Sequence, residues 1–209
     1  MLRLPGSMPP VTVESEEAVQ EASRSACGVL VLFAHYGNWE LLMPVLAKRL
    51  GGLTVIAKPM KNPLVDRWLV SQRAQCHFEV APPGNAVRTA LRVLQSGGAV
   101  AVAIDQWPGD MGTPCMFLGK KTKTVRTVAG LVNLTRCTTL AAYAIMEPSG
   151  SYRVIVRGLP PPSGSPDEDC DAVATLQLHH NEIVSAWIME RPEHWFGWFH
   201  RRFKDLLEY

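Results

Sequence analysis

The sequence predicts an α/β fold, a single-domain αβα sandwich with a central, mostly parallel or mixed sheet between two layers of helices. Three observations carry this expectation. Two short runs, Gly28–Ala34 (GVLVLFA) and Ala99–Ile104 (AVAVAI), are apolar on both faces, as strands in the middle of a covered sheet are. Segments with apolar residues at helical spacing alternate with strand-like runs along most of the chain. With 209 residues and 47% hydrophobic residues, one domain can bury a real core.

Taken in order, residues 1–14 read as irregular, with paired prolines at 9 and 10, and Glu14–Ser25 as a short helix whose acidic start suits the helix dipole. Residues 1–27 are thus expected to precede a domain spanning 28–209. After the strand at Gly28–Ala34, Leu41, Leu42, Val45, Leu46 and Leu50 mark a helix over Trp39–Leu50, stopped by Gly51 and Gly52. Pro44 fits only near a first turn, which leaves the start of that helix open. Leu53–Ala57 reads as a strand and Pro63–Cys76 as a helix opened by proline. A strand at Phe78–Ala81, an amphipathic helix at Asn85–Gln95 and the strand at Ala99–Ile104 follow. Trp107–Gly119 reads as a loop and Thr127–Thr135 as a helix. Leu140–Met146 and Tyr152–Arg157 are strands, Gly158–Asp169 a surface loop and Asp171–Glu190 a long helix. The end is aromatic and basic.

Composition removes several function classes. A net charge of +2 is too mild to imply a nucleic-acid partner. The five cysteines stand at 27, 76, 115, 137 and 170, with no C-x-x-C, so neither a disulfide framework nor a zinc ribbon is expected. The N-terminus lacks the apolar stretch of a signal peptide, and no apolar run approaches the ~20 residues that span a bilayer. G-x-S-x-G, G-x-G-x-x-G and the P-loop pattern are absent, as is H-E-x-x-H around His179 and His180, which read as surface histidines. No metal or cofactor is expected.

The sharpest local feature is His35-Tyr36-Gly37-Asn38-Trp39-Glu40. His35 directly follows a buried strand, and ligand sites of open α/β sheets lie at the carboxyl ends of strands. Glu40 stands in the first turn of the next helix. The turn through Gly37 would let its carboxylate fold back on one imidazole nitrogen, fixing the tautomer and freeing the other nitrogen to take a proton from a hydroxyl. The same residues also suit a capping histidine and a glutamate that satisfies the helix dipole, and spacing alone does not separate the two. Asp105, at a strand end, is either catalytic or a cap for the following loop. Lys120, Lys121, Lys123 and Arg126 form a basic run, either a solvated face or a contact for an anionic partner. Trp195, Phe196, Trp198 and Phe199 ahead of Arg201, Arg202 and Lys204 suit a membrane interface or, equally, an aromatic plug in the core.

Five pieces occur in one order: H-x4-E after an apolar strand; K-P-M-K-N-P-L-V-D-R-W-L with Arg73 after it; A-I-D-Q before a Gly-rich loop; F-L-G-K followed by threonines; and P-E-H-W-F-G-W-F-H-R-R-F-K near the end. Together, over about Gly28 to Lys204, they resemble the bacterial late acyltransferases of lipid A biosynthesis, within the lysophospholipid acyltransferase superfamily. The resemblance implies a glycerolipid-acyltransferase-like fold. It implies transfer of a fatty acyl chain from an acyl carrier protein or coenzyme A thioester to a lipid hydroxyl, with His35 as general base and Glu40 orienting it. Arg73, Lys58 and Asn62 would then recognise phosphate or thioester, and Asp105 and Gln106 would line the site. The acceptor is open between a lipid A precursor and a simpler glycolipid or lysophospholipid. Members of the family carry a longer segment, with an anchoring helix, ahead of the H-x4-E strand. Here 34 residues precede His35, so peripheral contact with the cytoplasmic face of a bacterial inner membrane is expected. Two other classes fit the same fold, a non-catalytic acyl- or lipid-binding module and a thioester hydrolase.

Overall fold

The computed structural model describes residues 9–81, 83–162, 170–200 and 202–204. Its elements are β1 (Val11–Glu14), α1 (Glu16–Ser23), β2 (Val29–Phe33), α2 (Trp39–Leu50), β3 (Leu53–Ile56), α3 (Pro63–Gln75), β4 (Phe78–Ala81), α4 (Ala86–Gln95), β5 (Ala99–Ala103), β6 (Thr113–Phe117), β7 (Lys120–Thr124), α5 (Thr127–Thr135), β8 (Thr138–Met146), β9 (Tyr152–Leu159) and α6 (Cys170–Glu190). The main sheet has seven strands in the order β1-β9-β8-β2-β5-β3-β4. β2 pairs in parallel with both β5 and β8, β3 with β5 and β4, while β8 and β9 are antiparallel.

Helices cover both faces. Along β2 the side chains alternate: Leu30 and Leu32 join a core with Leu94, Val128, Val132, Val184 and Trp187 of α4, α5 and α6. Val29, Val31 and Phe33 join a second core with Val19, Leu42 and Leu46 of α1 and α2. This two-sided burial is why the strand reads as a continuous apolar run rather than an alternating one. α2 begins at its Asn38 cap, whose side-chain oxygen accepts from the Leu41 N–H at 3.0 Å, and carries Pro44 inside it. α3 differs from the other helices of the sandwich in having no buried residue, and it shows Leu64, Val65, Trp68 and Val70 to solvent.

Three expectations are corrected. Residues 11–14 are not irregular: Val11–Glu14 is an edge strand, parallel to β9 from Val11↔Tyr152 to Glu14↔Ile155. Its half-buried, alternating V-T-V-E pattern is too short to register alone, and the pairing completes it. Residues 1–8 of that segment lie outside the described residues. Trp107–Gly119 is not simply a loop, because β6 and β7 form an antiparallel hairpin turned by Leu118 and Gly119, both with positive φ, as tight hairpin turns require. That hairpin is tied to α6 through Asn181 Nδ2 donating to the Met116 carbonyl (2.8 Å), Gln177 Nε2 donating to the Thr124 carbonyl (2.8 Å) and the Leu118 N–H donating to Ser185 Oγ (3.0 Å). His180 is buried rather than superficial, and burial pushes its imidazole down to about 4, so it stays neutral at neutral pH. Residues 163–169 of the expected surface loop lie outside the described residues.

Candidate active site

The parallel register builds the site. Phe33 of β2 lies opposite Ala103 of β5. His35 and Asp105 each stand two residues further on, level with one another at the carboxyl edge of the sheet. The two side chains meet there: His35 Nδ1 and Asp105 Oδ1 are 2.9 Å apart. The Asp105 side chain is fully buried and that of His35 is 23% exposed. The second carboxylate oxygen, Oδ2, accepts from the Trp195 indole N–H at 2.9 Å. Burial alone would push the Asp105 carboxyl up. The hydrogen bonds and charge of His35, with the bond from Trp195, outweigh it and hold the carboxyl below its usual range. An ionised Asp105 accepts from Nδ1–H, so Nε2 carries the lone pair. Gln106 brings its amide nitrogen to 3.4 Å from Nε2, and the Trp39 ring lies edge-on at 5.0 Å from the imidazole.

The loop that holds His35 is fixed from behind. Tyr36 bridges to Trp195 and Gly37 to Ala144 of β8. The Gly37 N–H donates to the His194 carbonyl (2.9 Å), the Asn38 N–H to the Ala144 carbonyl (2.7 Å) and the Phe196 N–H to the His35 carbonyl (2.8 Å). Gly37 has φ +62°, and a Cβ there would come within 2.0 Å of the Ala144 oxygen, so only glycine fits this close approach.

The expected fold-back of Glu40 on His35 is corrected by this geometry, since the carboxylate on the imidazole belongs to Asp105. Glu40 instead pairs with Arg73 of α3, Nη2 to Oε1 at 2.5 Å. Arg73 therefore reaches the beginning of α2, beside Trp39. Asp66 is engaged by the Met60 N–H at 2.7 Å. Asn62 caps α3, its side-chain oxygen accepting from the Leu64 and Val65 N–H groups at 2.9 and 3.4 Å. That oxygen is thus committed to the helix rather than to a ligand. Lys58 is exposed in the segment after β3, and it faces the same region as His200, Arg202, His35 and Asp105. Burial, helped by the positive charges of His35, Arg202 and Lys58, draws the His200 imidazole below its usual value against the pull of Asp105.

The C-terminal segment is part core and part surface. Trp195 is 2% exposed, and buried Arg202 stacks its guanidinium 4.4 Å from the centre of the Phe117 ring and donates to Thr124 Oγ1 at 2.7 Å. Phe196, Trp198 and Phe199 face outward, Phe199 at 86% exposure. Arg201 lies outside the described residues. Trp195 as the partner of Asp105 was not legible in the sequence, since nothing in the local pattern links positions 90 residues apart.

The site is a histidine held at one nitrogen by a buried carboxylate, with the Gln106 amide beside the other, at the edge of a parallel sheet. That arrangement can take a proton from a hydroxyl and return it to a leaving group. A family model described as bacterial lipid A biosynthesis acyltransferase matches residues 8–205. No curated protein matches the chain.

Proposed function

The chain belongs to the bacterial lipid A biosynthesis acyltransferase family, and from that premise we propose that it moves a fatty acyl chain from an acyl carrier protein or coenzyme A thioester to a hydroxyl of a lipid A precursor or a related glycolipid. The observation that carries the mechanism is the His35–Asp105 pair, with only the long Gln106 amide contact at Nε2. His35 Nε2 takes the proton of the acceptor hydroxyl as its oxygen bonds to the thioester carbonyl carbon. The carbon–sulfur bond then breaks, and the departing thiolate takes the proton back from Nε2. Thioester and alcohol thus become ester and thiol. Asp105 holds the tautomer that leaves Nε2 unprotonated and balances the imidazolium formed in between. Gln106 lines the place where the reacting oxygens pass.

Arg73 and Lys58 recognise the phosphate that both a lipid A precursor and a pantetheine-carrying donor present. Glu40, in this reading, holds Arg73 rather than His35. Arginine grips phosphate with two parallel bonds that lysine cannot reproduce. Arg73→Lys is expected to raise KM for a phosphorylated acceptor roughly tenfold, with kcat and melting temperature little changed, because a partly exposed ion pair contributes only ~0–1 kcal/mol. Steady-state kinetics with acceptors that carry or lack phosphate check this, and an unchanged KM on both removes Arg73 from binding.

The lipid is met at a membrane surface. Phe196, Trp198 and Phe199, in the segment hydrogen-bonded to the His35 loop, and Leu64 and Trp68 of α3 are exposed apolar side chains, and Lys58, Lys61 and Arg67, in and just ahead of α3, are exposed as well. Aromatic and basic side chains together favour the headgroup layer of an anionic bilayer. Among the described residues no helix is long and apolar enough to cross a membrane. The chain is expected to sediment with anionic vesicles and to be released by high salt or alkaline washing. Release by detergent alone would contradict peripheral binding.

The deciding experiment supplies lauroyl-coenzyme A or the lauroyl carrier protein, with and without a lipid A precursor, and follows thiol release and acceptor mass. An acceptor gaining one acyl chain is the expected result. Thiol release that ignores the acceptor makes the protein a hydrolase, and no release at all makes it a binding module.

A further inference from the structure

On the reading that His35 and Asp105 carry the transfer, we propose that Trp195 is a positioning residue of the reaction, its indole N–H holding the second oxygen of Asp105, and that Gly197 supplies the space in which the indole lies.

The Asp105 carboxylate has two oxygens and no exposure to water. Oδ1 faces His35 Nδ1, and Oδ2 has the Trp195 indole at 2.9 Å. With bonds at both oxygens the plane of the carboxylate is fixed, and with it the direction in which Oδ1 meets the imidazole. The indole N–H is a donor only, so it pairs with the ionised carboxylate and gives nothing to an acid proton. Tyrosine or serine at that place could serve either form.

The indole is held as closely as the carboxylate. Trp195 packs against Phe117 at 5.8 Å and Trp198 at 4.7 Å between ring centres. A Cβ on Gly197 would fall 2.1 Å from indole Cε2 and 2.4 Å from Nε1, so any other residue there displaces the ring. The same short segment holds the His35 loop, through the Phe196 N–H on the His35 carbonyl and the His194 carbonyl on the Gly37 N–H. One piece of chain therefore fixes the backbone of the base and the side chain that orients it, which preserves their relative placement. Among the described residues, the titratable groups that act on Asp105 include His35 at the end of β2 and His200, and Arg202 and Lys58 act in turn on His200.

Trp195→Phe keeps an aromatic ring in the core and removes the donor together with part of the ring volume, and the melting temperature reads that second loss. Without the donor, burial has less opposing it at Asp105, and the ionised carboxylate that the base needs is lost at higher pH. The expected result, with lauroyl-coenzyme A and a lipid A precursor, is a kcat lowered about tenfold, KM unchanged within about twofold, and an acidic limb of kcat/KM moved to higher pH by about half a unit or more. Gly197→Ala is expected to give the same displaced limb, and the double variant to be no worse than either single one, because both act on one hydrogen bond. An unmoved limb in a folded Trp195→Phe protein overturns the proposal, as does a fall in melting temperature with normal turnover per folded molecule, which would make Trp195 a core residue only. If wild-type protein gives no transfer, or Asp105→Asn is fully active, the functional reading itself has failed. Failure of the Trp195 proposal alone leaves Asp105→Asn impaired.

Discussion

His35→Ala is expected to lower acyl transfer by roughly 10²–10⁴-fold, the range that a positioned general base contributes. His35 is partly exposed at the mouth of the sheet, and its side chain fills no core position, so the fold is expected to survive. Its loss removes the only change the mechanism asks of Nε2, taking a proton from the hydroxyl and giving it to the thiolate. Circular dichroism and thermal melting identify the folded variant, and thiol release in the presence of acceptor measures its rate. Near-normal turnover in that folded protein would take His35 out of the mechanism.

Asp105→Asn and Glu40→Gln are expected to part widely. Trp195 presents a donor to one position of the side chain, so an asparagine turns its carbonyl oxygen to the indole and its NH₂ to His35. The imidazole must then accept at Nδ1 and carry its proton on Nε2, the nitrogen required as base. A base in the wrong tautomer predicts a loss in kcat of ~10²–10⁴-fold at nearly unchanged KM. Glu40→Gln keeps an oxygen for the Arg73 guanidinium and leaves His35–Asp105 untouched, so its kcat is expected to fall less than about tenfold, with the larger effect on KM. Parallel kinetics on the two variants decide between the partners. A Glu40→Gln variant weaker in kcat than Asp105→Asn would return the orienting role to Glu40, as the five-residue spacing by itself suggests.

That contrast shows where the sequence stops. The run GVLVLFA, short and opened by glycine, suits a strand covered on both faces better than a helix, and the spacing from Leu41 to Leu50 suits one buried side of a helix. These local patterns determined the α/β class, the helix at Trp39–Leu50, the strand at Phe78–Ala81 and the helix at Thr127–Thr135, all of which have those bounds in the structure. The place of His35 at a strand end, hence at the ligand-binding edge, followed from the same short-range information. The ordered motifs carried the family, because side chains that must act together leave a recurrent order along the chain even when their contacts are invisible.

What the tertiary structure decided is which of these pieces lie side by side. β2 and β5 are neighbours although α2, β3, α3, β4 and α4 separate them in the chain. That pairing brings Asp105 level with His35, while the packing of the chain sets the nearby Glu40 against Arg73, a residue 33 positions away. β1 and the basic hairpin were missed for a related reason. A short edge strand and a strand carrying alternating lysines gain their pairing energy from neighbours, β9 in one case and a facing strand backed by α6 in the other, rather than from their own composition. Trp195 follows the same rule at the longest range. An aromatic residue near the C-terminus is equally suited by sequence to core or surface. Its indole became part of the site because closing the sheet buried a carboxylate that needs donors, and the indole N–H reaches its Oδ2.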